Sequence, residues 1–404
     1  MNNKNHKKGT EYLNILTKYI GPVRSKEVID KIGLGSLSEA NPALDKNYPE
    51  SFRLRSNIDR IITYTENTTT PKKHINLLLD FSNLALSKGE LFLSSDLLSQ
   101  VLFRTIEHKS LLDEKANAFM RMGEISSMQA KWDESFSYIN KGRKIFEQNN
   151  NFKGLSACDN LLGTLYSERG ILPTARKYFE KGIERLKGKR ASDQLANILV
   201  NLGILNHMTG NIEDSKKNYE KALKYYLKSD NLKRIAQTRH NLGMLYFKEG
   251  NFDKALSQFD ISMKVSTKDQ NCVTLAISFL SKAHVYITIN KMSSAVENIE
   301  RAMELSHQIN DRLTIADIYK VRGIIERKRK NYDSSENYLH TSLRINSELG
   351  NRLNHAETSV ELGKLYMELR KNQKGREAFL NALKYYTRIN DAEEIEKIKS
   401  ILKI

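Results

Sequence analysis

From residue 74 onward, apolar residues recur at helical spacing in blocks separated by short polar clusters, and the blocks repeat every forty residues. Glycines mark the beat at Gly123, Gly163, Gly203, Gly243, Gly323 and Gly363, and Ala283 fills the one gap with another small residue. The surrounding text repeats too, as NLLGTLYSERG, NLGILNHMTGN, NLGMLYFKEGN and VELGKLYMELRKN. Two residues past each anchor stands Ile125, Leu165, Leu205, Leu245, Val285, Ile325 or Leu365. Nine past it stands Trp132, Leu172, Ile212, Phe252, Met292 or Tyr332, and Asn372 breaks the rule in the last unit. Sixteen past it come Ile139, Phe179, Tyr219, Phe259, Ile299, Leu339 and Phe379. Nineteen past it the residue is always small: Gly142, Gly182, Ala222, Ser262, Ala302, Ser342, Ala382.

Apolar positions at this spacing on both sides of a short break predict two amphipathic helices per unit. The small residues let the two backbones approach, where a larger side chain would hold them apart. Between units the clusters SDN (229–231), IND (309–311), LGN (349–351) and IND (389–391) are polar helix stops. Four of the five prolines precede residue 72, and the fifth, Pro173, falls at the start of a second helix, where its missing N–H costs little.

This pattern resembles the tetratricopeptide repeat family from residue 74 to about 390, with Gly at the family's eighth position and small residues near its twentieth and twenty-seventh. The forty-residue period resembles the extended-repeat subgroup found in spindle-orientation adaptors and bacterial sensor proteins. A weaker unit precedes the seven clear ones, with Ser82 at the glycine position. The expected fold is all-α, a right-handed superhelical solenoid of about eight helix pairs. Residues 1–73 form an N-terminal helical cap or small head, 74–390 the array, and 391–404 a capping helix.

The resemblance implies that the first helix of each pair lines a concave binding surface. It places ligand contacts six, three, two and one before the anchor and one, four and five after it. Asn201 and Asn241 stand two before their glycines, with Asn197 and Gln237 four residues earlier; Arg121, Asn160, His207, Arg239, His240, His284 and Lys320 occupy or adjoin similar places. An asparagine amide offers both a donor and an acceptor, which suits the backbone of an extended peptide. Holding a neighbouring helix is the other role open to these side chains. The family's carboxylate clamp needs Lys, Asn, Asn, Lys and Arg over three consecutive units, and no three units supply it.

Charge leaves two readings open. The chain carries +17, of which residues 1–73 contribute +5 and the rest +12, so the excess is spread out. Such a surface fits an acidic partner, a nucleic acid among them, but a lysine-rich composition on solvated helix faces gives the same sum. The residue two before the anchor runs Arg121, Leu161, Asn201, Asn241, Ser281, Val321, Glu361, which shows no base-reading code. Cys158 and Cys272 lack metal-ligand spacing, as do the nine histidines, and nucleophile-elbow, phosphate-loop and zinc-protease motifs are missing. GLGS at 33–36 is a lone glycine pair. These observations predict a binding protein, without cofactor or metal and not an enzyme. Neither a signal peptide nor a run of ~20 apolar residues is read, so a cytoplasmic location is expected.

Residues 1–73 break the beat. EYLNILTKYI, SKEVIDKI and RLRSNIDRIITYTEN read as short helices, around a loop-like GLGSLSEANPALDKNYPESF. A cap over the first repeat and a DNA-binding head of a peptide sensor are alternative readings. In a third, the acidic, proline-bearing segment 36–52 lies in the groove as an internal ligand. The sequence therefore predicts an adaptor or scaffold for an extended peptide or helix, with a peptide-responsive regulator as the alternative.

Overall fold

A computed structural model describes residues 3–31, 50–106, 109–129, 131–389 and 391–403. The GLGS pair and most of the 36–52 segment lie outside the described residues. The chain divides into two compact units, one of residues 1–165 with 180–189 and the other of 166–179 with 190–404.

The first unit begins with α1 (Asn3–Ile20), α2 (Pro22–Lys31) and α3 (Glu50–Glu66), followed by the pairs α4 (Pro71–Ser87) with α5 (Leu91–Arg104) and α6 (Leu112–Met128) with α7 (Trp132–Gln148). Residues of α8 (Phe152–Glu168) and α9 (Leu172–Leu186) contribute to both units. The second unit holds the pairs α10 (Ser192–Met208) with α11 (Ile212–Lys228) and α12 (Leu232–Lys248) with α13 (Phe252–Lys268). It continues with α14 (Cys272–Thr288) and α15 (Met292–Gln308), α16 (Arg312–Lys328) and α17 (Tyr332–Glu348), α18 (Arg352–Glu368) and α19 (Asn372–Ile389), and ends with α20 (Ala392–Leu402).

A helix of 17 residues and a connection of three make a half-period of twenty, and local chemistry sets it. From α7 to α18 a residue with positive φ closes the helices, among them Asn150, Gly170, Gly210, Asp230, Gly250, Gln270, Asn290, Asn310, Lys330, Gly350 and Arg370. The next N–H turns back to the carbonyl five residues earlier, as Asn231 does to Tyr226 (3.0 Å) and Asn271 to Ser266 (2.9 Å), which satisfies a helix-end acceptor. The same residue then opens the following helix. Asn231, Asn251, Asn271, Asp311, Asn351 and Asp391 each accept a backbone N–H from three residues on. The residue nine past each anchor is the first of the second helix, Asn372 included, so that position needs a helix start rather than an apolar side chain.

The anchor glycine and the residue sixteen later are partners. A Cβ on Gly203 would meet the Tyr219 ring at 2.6 Å, on Gly243 the Phe259 ring at 2.5 Å, and on Gly323 the Leu339 side chain at 2.6 Å. Each pair therefore seats one large side chain of the second helix on bare backbone of the first. Twelve past the anchor a hydroxyl reinforces the crossing: Ser135, Ser215 and Ser335 donate to the carbonyls of Gly123, Gly203 and Gly323 at 2.7, 2.7 and 2.8 Å. Ser94 donates likewise to the carbonyl of Ser82 (3.0 Å), so the α4/α5 pair repeats the contact with serine in place of glycine. The small residue nineteen past the anchor abuts another, seven before it. A Cβ on Gly142 would meet the Ala116 carbonyl at 2.7 Å, and the Ser262 hydroxyl donates to the Ala236 carbonyl at 2.8 Å.

The N-terminal helices share the apolar core of the first repeat, where Tyr12, Leu16, Val28, Ile58 and Ile61 join Ile75, Leu78, Phe81 and Leu97 in one buried cluster. Lys18 and the Tyr19 hydroxyl both reach Asp80 at 2.9 Å, and Lys88 reaches Glu11 at 2.9 Å. At the other end Ile398 and Leu402 of α20 close a cluster with Phe379, Ala382 and Tyr386.

Candidate functional site on the first-helix face

In the second unit the first helices of successive pairs pack on one another, α12 on α14, α14 on α16 and α16 on α18, which gathers their side chains on one face. The candidate residues separate here by what they hold.

Several are engaged within their own pair. Asn197 accepts the Tyr226 hydroxyl (2.6 Å), Gln237 accepts Arg234 (3.2 Å), and Arg239 donates to Gln258 (3.0 Å). Arg121, in the first unit, lies 4.0 Å from Glu124 on its own helix. Half-buried Asn160 and Asn201 are engaged in interactions of their own.

Others reach the next repeat. His240 Nε2 and the Ser281 hydroxyl are 2.9 Å apart, tying α12 to α14. Lys320, buried in α16, pairs with Glu357 of α18 and stands 3.1 Å from Asp317. Arg327 of α16 reaches Glu361 (2.8 Å) and Glu368 (2.5 Å), and Lys364 reaches Glu361 (2.6 Å). Across the unit, Lys248 at the end of α12 stands 4.0 Å from Glu393 of α20.

Burial sets the protonation of this face. It lowers His240 to about 4, against a hydrogen bond to the Asn241 side-chain oxygen that favours the proton. It lowers His284 to about 4 as well; Lys320 adds to the effect, while Glu357 and Glu361 oppose it. His207 is lowered by burial and by Lys248, and its Nε2 is buried without a hydrogen-bond partner. Burial alone would lower Lys320, but Glu357 and Asp317 outweigh it and hold the ammonium above its ordinary range. Asp317 is raised by burial in spite of Lys320. At neutral pH the face therefore presents neutral imidazoles, each with one donor and one acceptor, beside the amides of Asn201 and Asn241. Its one buried lysine is already matched by carboxylates, so the charge of this face does not favour the acidic partner that the overall charge suggested.

Ser281, Asp317, Glu357 and Glu361 belong to this arrangement and were not among the expected contacts. The repeat register held the signal. Asp317 and Glu357 stand six before their anchors, where Asn197 and Gln237 stand, and Ser281 and Glu361 stand two before, where Asn201 and Asn241 stand. Among the described residues there is no cluster of His, Cys, Asp and Glu able to hold a metal, and no helix long and apolar enough to cross a membrane.

A tetratricopeptide repeat family model matches residues 236–260, the stretch that carries Gly243 and Phe259. No curated protein matches the chain by sequence at a significant level. Among solved structures, a Rap protein complexed with competence and sporulation factor is similar with a TM-score of 0.61 at 13% identity, over 96% of this chain and 99% of that one. Aspartyl phosphate phosphatase F from Bacillus subtilis is similar with a TM-score of 0.58 at 14% identity, over 93% and 92%. The Rap conjugation gene regulator of the plasmid pLS20, in complex with the Phr* peptide, gives 0.55 at 15% identity, over 87% and 98%. These likenesses extend over nearly the whole chain and concern the fold. With the forty-residue register and the glycine-seated helix pairs, they show a tetratricopeptide-type repeat fold.

Proposed function

We propose that the chain is a peptide-responsive interaction protein that binds an extended peptide along the first-helix face of its second unit. The observation that carries this reading is the row of neutral, two-way hydrogen-bonding groups on that face: Asn201, His207, Asn241 and His284. Such groups match the alternating N–H and C=O of a peptide backbone without asking for a charged partner. The peptide-bound regulator among the similar structures supports the same reading, and it favours a regulator over a passive adaptor. Binding rather than catalysis is the role proposed. One similar structure carries a phosphatase name, but the groups on this face are used here for hydrogen bonding and ion pairing.

The test is selection from a random peptide display library on the wild-type chain and on an Asn201→Glu/Asn241→Glu variant of confirmed helicity. Peptides enriched on the wild type and lost on the variant support the reading. Equal enrichment on both moves the site elsewhere, and nuclease-sensitive capture of nucleic acid would replace it. A regulator should also change shape on binding, which small-angle scattering with and without a selected peptide measures.

A further inference from the structure

The first unit contains a cavity of about 340 Å³ where α3 meets α4 and α5, well away in sequence from the face just described. Its walls are Glu66, Thr69, Pro71, His74, Ile75, Phe103, Arg104 and Ile106. The groups around it are unusual in two ways.

The polar atoms are left unpaired. His74 is 4% exposed, and neither of its ring nitrogens has a hydrogen-bond partner. The buried Nε of Arg104 has none either, while its Nη1 donates to Glu66 at 2.6 Å. Buried donors and acceptors are nearly always satisfied, because leaving one unmade costs its full desolvation. Among these three atoms are two donors, the Arg104 Nε–H and one imidazole N–H, on residues that line one cavity, and they point to an acceptor between them.

The apolar atoms are left uncovered. Phe103 and Ile106 are 75% and 66% exposed at the mouth, although both are large and apolar. A cavity of a few hundred Å³ with apolar walls and a few convergent polar groups has the build of a small-molecule site.

We infer that this cavity binds a small amphipathic carboxylate, with its anionic head toward Arg104 and His74 and its apolar body against Phe103 and Ile106. Arg104 Nε–H is always a donor, and the neutral imidazole supplies a second, so a two-oxygen acceptor fits both. The N-terminus of α4 opens at Pro71 on the cavity wall, and the positive end of its dipole favours an anion over a cation. Burial and Arg104 both hold His74 below its ordinary range, so the second donor comes from the neutral ring. The carboxylate could come from a free aromatic acid or from the C-terminus of a peptide ending in an aromatic residue; the recognition chemistry is the same.

The test is calorimetric titration of the full chain with phenylacetate, with acetyl-Gly-Gly-Phe, and with the C-terminal amide of that peptide. Saturable binding of at least one carboxylate, roughly millimolar or tighter, is expected. Arg104→Gln should weaken it about tenfold or more. Phe103→Ala changes an exposed side chain and leaves the core intact, so it should weaken binding severalfold without lowering helicity. Tighter binding of phenylacetate identifies a free acid, and tighter binding of the peptide identifies a C-terminus. No saturable binding, equal binding of the amide, or binding unchanged in both variants overturns the proposal.

Discussion

The contact between Gly243 and Phe259 offers a perturbation whose sign can be worked out beforehand. In Gly243→Ala the new Cβ would stand 2.5, 2.7 and 3.0 Å from three atoms of the Phe259 ring, where ordinary contact begins near 3.4 Å. The ring is fully buried, so it cannot swing into solvent, and the two helices must separate by about 1 Å or the ring must leave its rotamer. Overpacking of this kind costs about 1–3 kcal/mol. Against it stands a gain of about 0.5–1 kcal/mol, because alanine is the better residue inside a helix. The clash wins, and the single variant should be less stable by about 0.5–2 kcal/mol. Phe259→Ala should cost more by itself, about 3–5 kcal/mol, since it leaves a cavity at a fully buried site. With the ring gone the clash is gone too, and adding Gly243→Ala should then stabilise the chain by up to about 1 kcal/mol. The assay is urea unfolding followed by far-UV circular dichroism, with hydrogen exchange of α12 and α13 amides, because a repeat array need not unfold as one unit. A change of sign between the two backgrounds is the predicted result. If Gly243→Ala has the same effect with and without the ring, the glycine is not there to seat Phe259 and the account of the repeat is wrong.

Other consequences are equally concrete. Asp159 is fully buried in the first unit, 2.5 Å from Arg185 and 3.6 Å from Arg143, so Asp159→Ala takes the carboxylate from Arg185 while Arg143 keeps Glu147 at 3.2 Å, and should cost about 3 kcal/mol in the same unfolding assay. His240 and His284 are lowered to about 4, below the unfolded 6.5, so the fold binds fewer protons than the unfolded chain between these values. Their contribution is complete above pH 6.5 and is lost as pH falls toward 4, on the order of 3 kcal/mol each, which imidazole NMR titration and melting at stepped pH would check. Asn251 caps α13 by accepting the Lys254 N–H at 3.2 Å, whereas Asn211 makes no side-chain cap bond to α11. Asn251→Ala should therefore cost about 1 kcal/mol and Asn211→Ala clearly less, read as the difference between their melting shifts.

Much of the fold was legible because the anchor glycine and its partner sixteen residues later are in contact and repeat together. Gly203 with Tyr219 and Gly363 with Phe379 are the same joint written twice. The twenty-residue half-beat was harder to see. Glycine marks it at Gly170, Gly210, Gly250 and Gly350, but Gln270, Lys330 and Arg370 adopt the same left-handed conformation with nothing in their type to announce it. The serine twelve past the anchor was equally quiet, since Ser215 reads as one more polar residue until its hydroxyl is seen on the Gly203 carbonyl. Attachment of α1–α3 to the first repeat depends on long-range packing, such as Tyr19 on Asp80, which no local pattern encodes. On the candidate face, attention to amides and cations found Lys320 and His240 but passed over Glu357 and Ser281, because a pairing role depends on what the next helix brings.

Hydrogen exchange measured with and without a peptide selected on the wild-type chain tests the central claim most directly. The account predicts slowed exchange concentrated in the first helices α10, α12, α14 and α16 of the second unit, with little change in the second helices that pair with them. Slowed exchange confined to the second helices, or to residues 1–106, would contradict it.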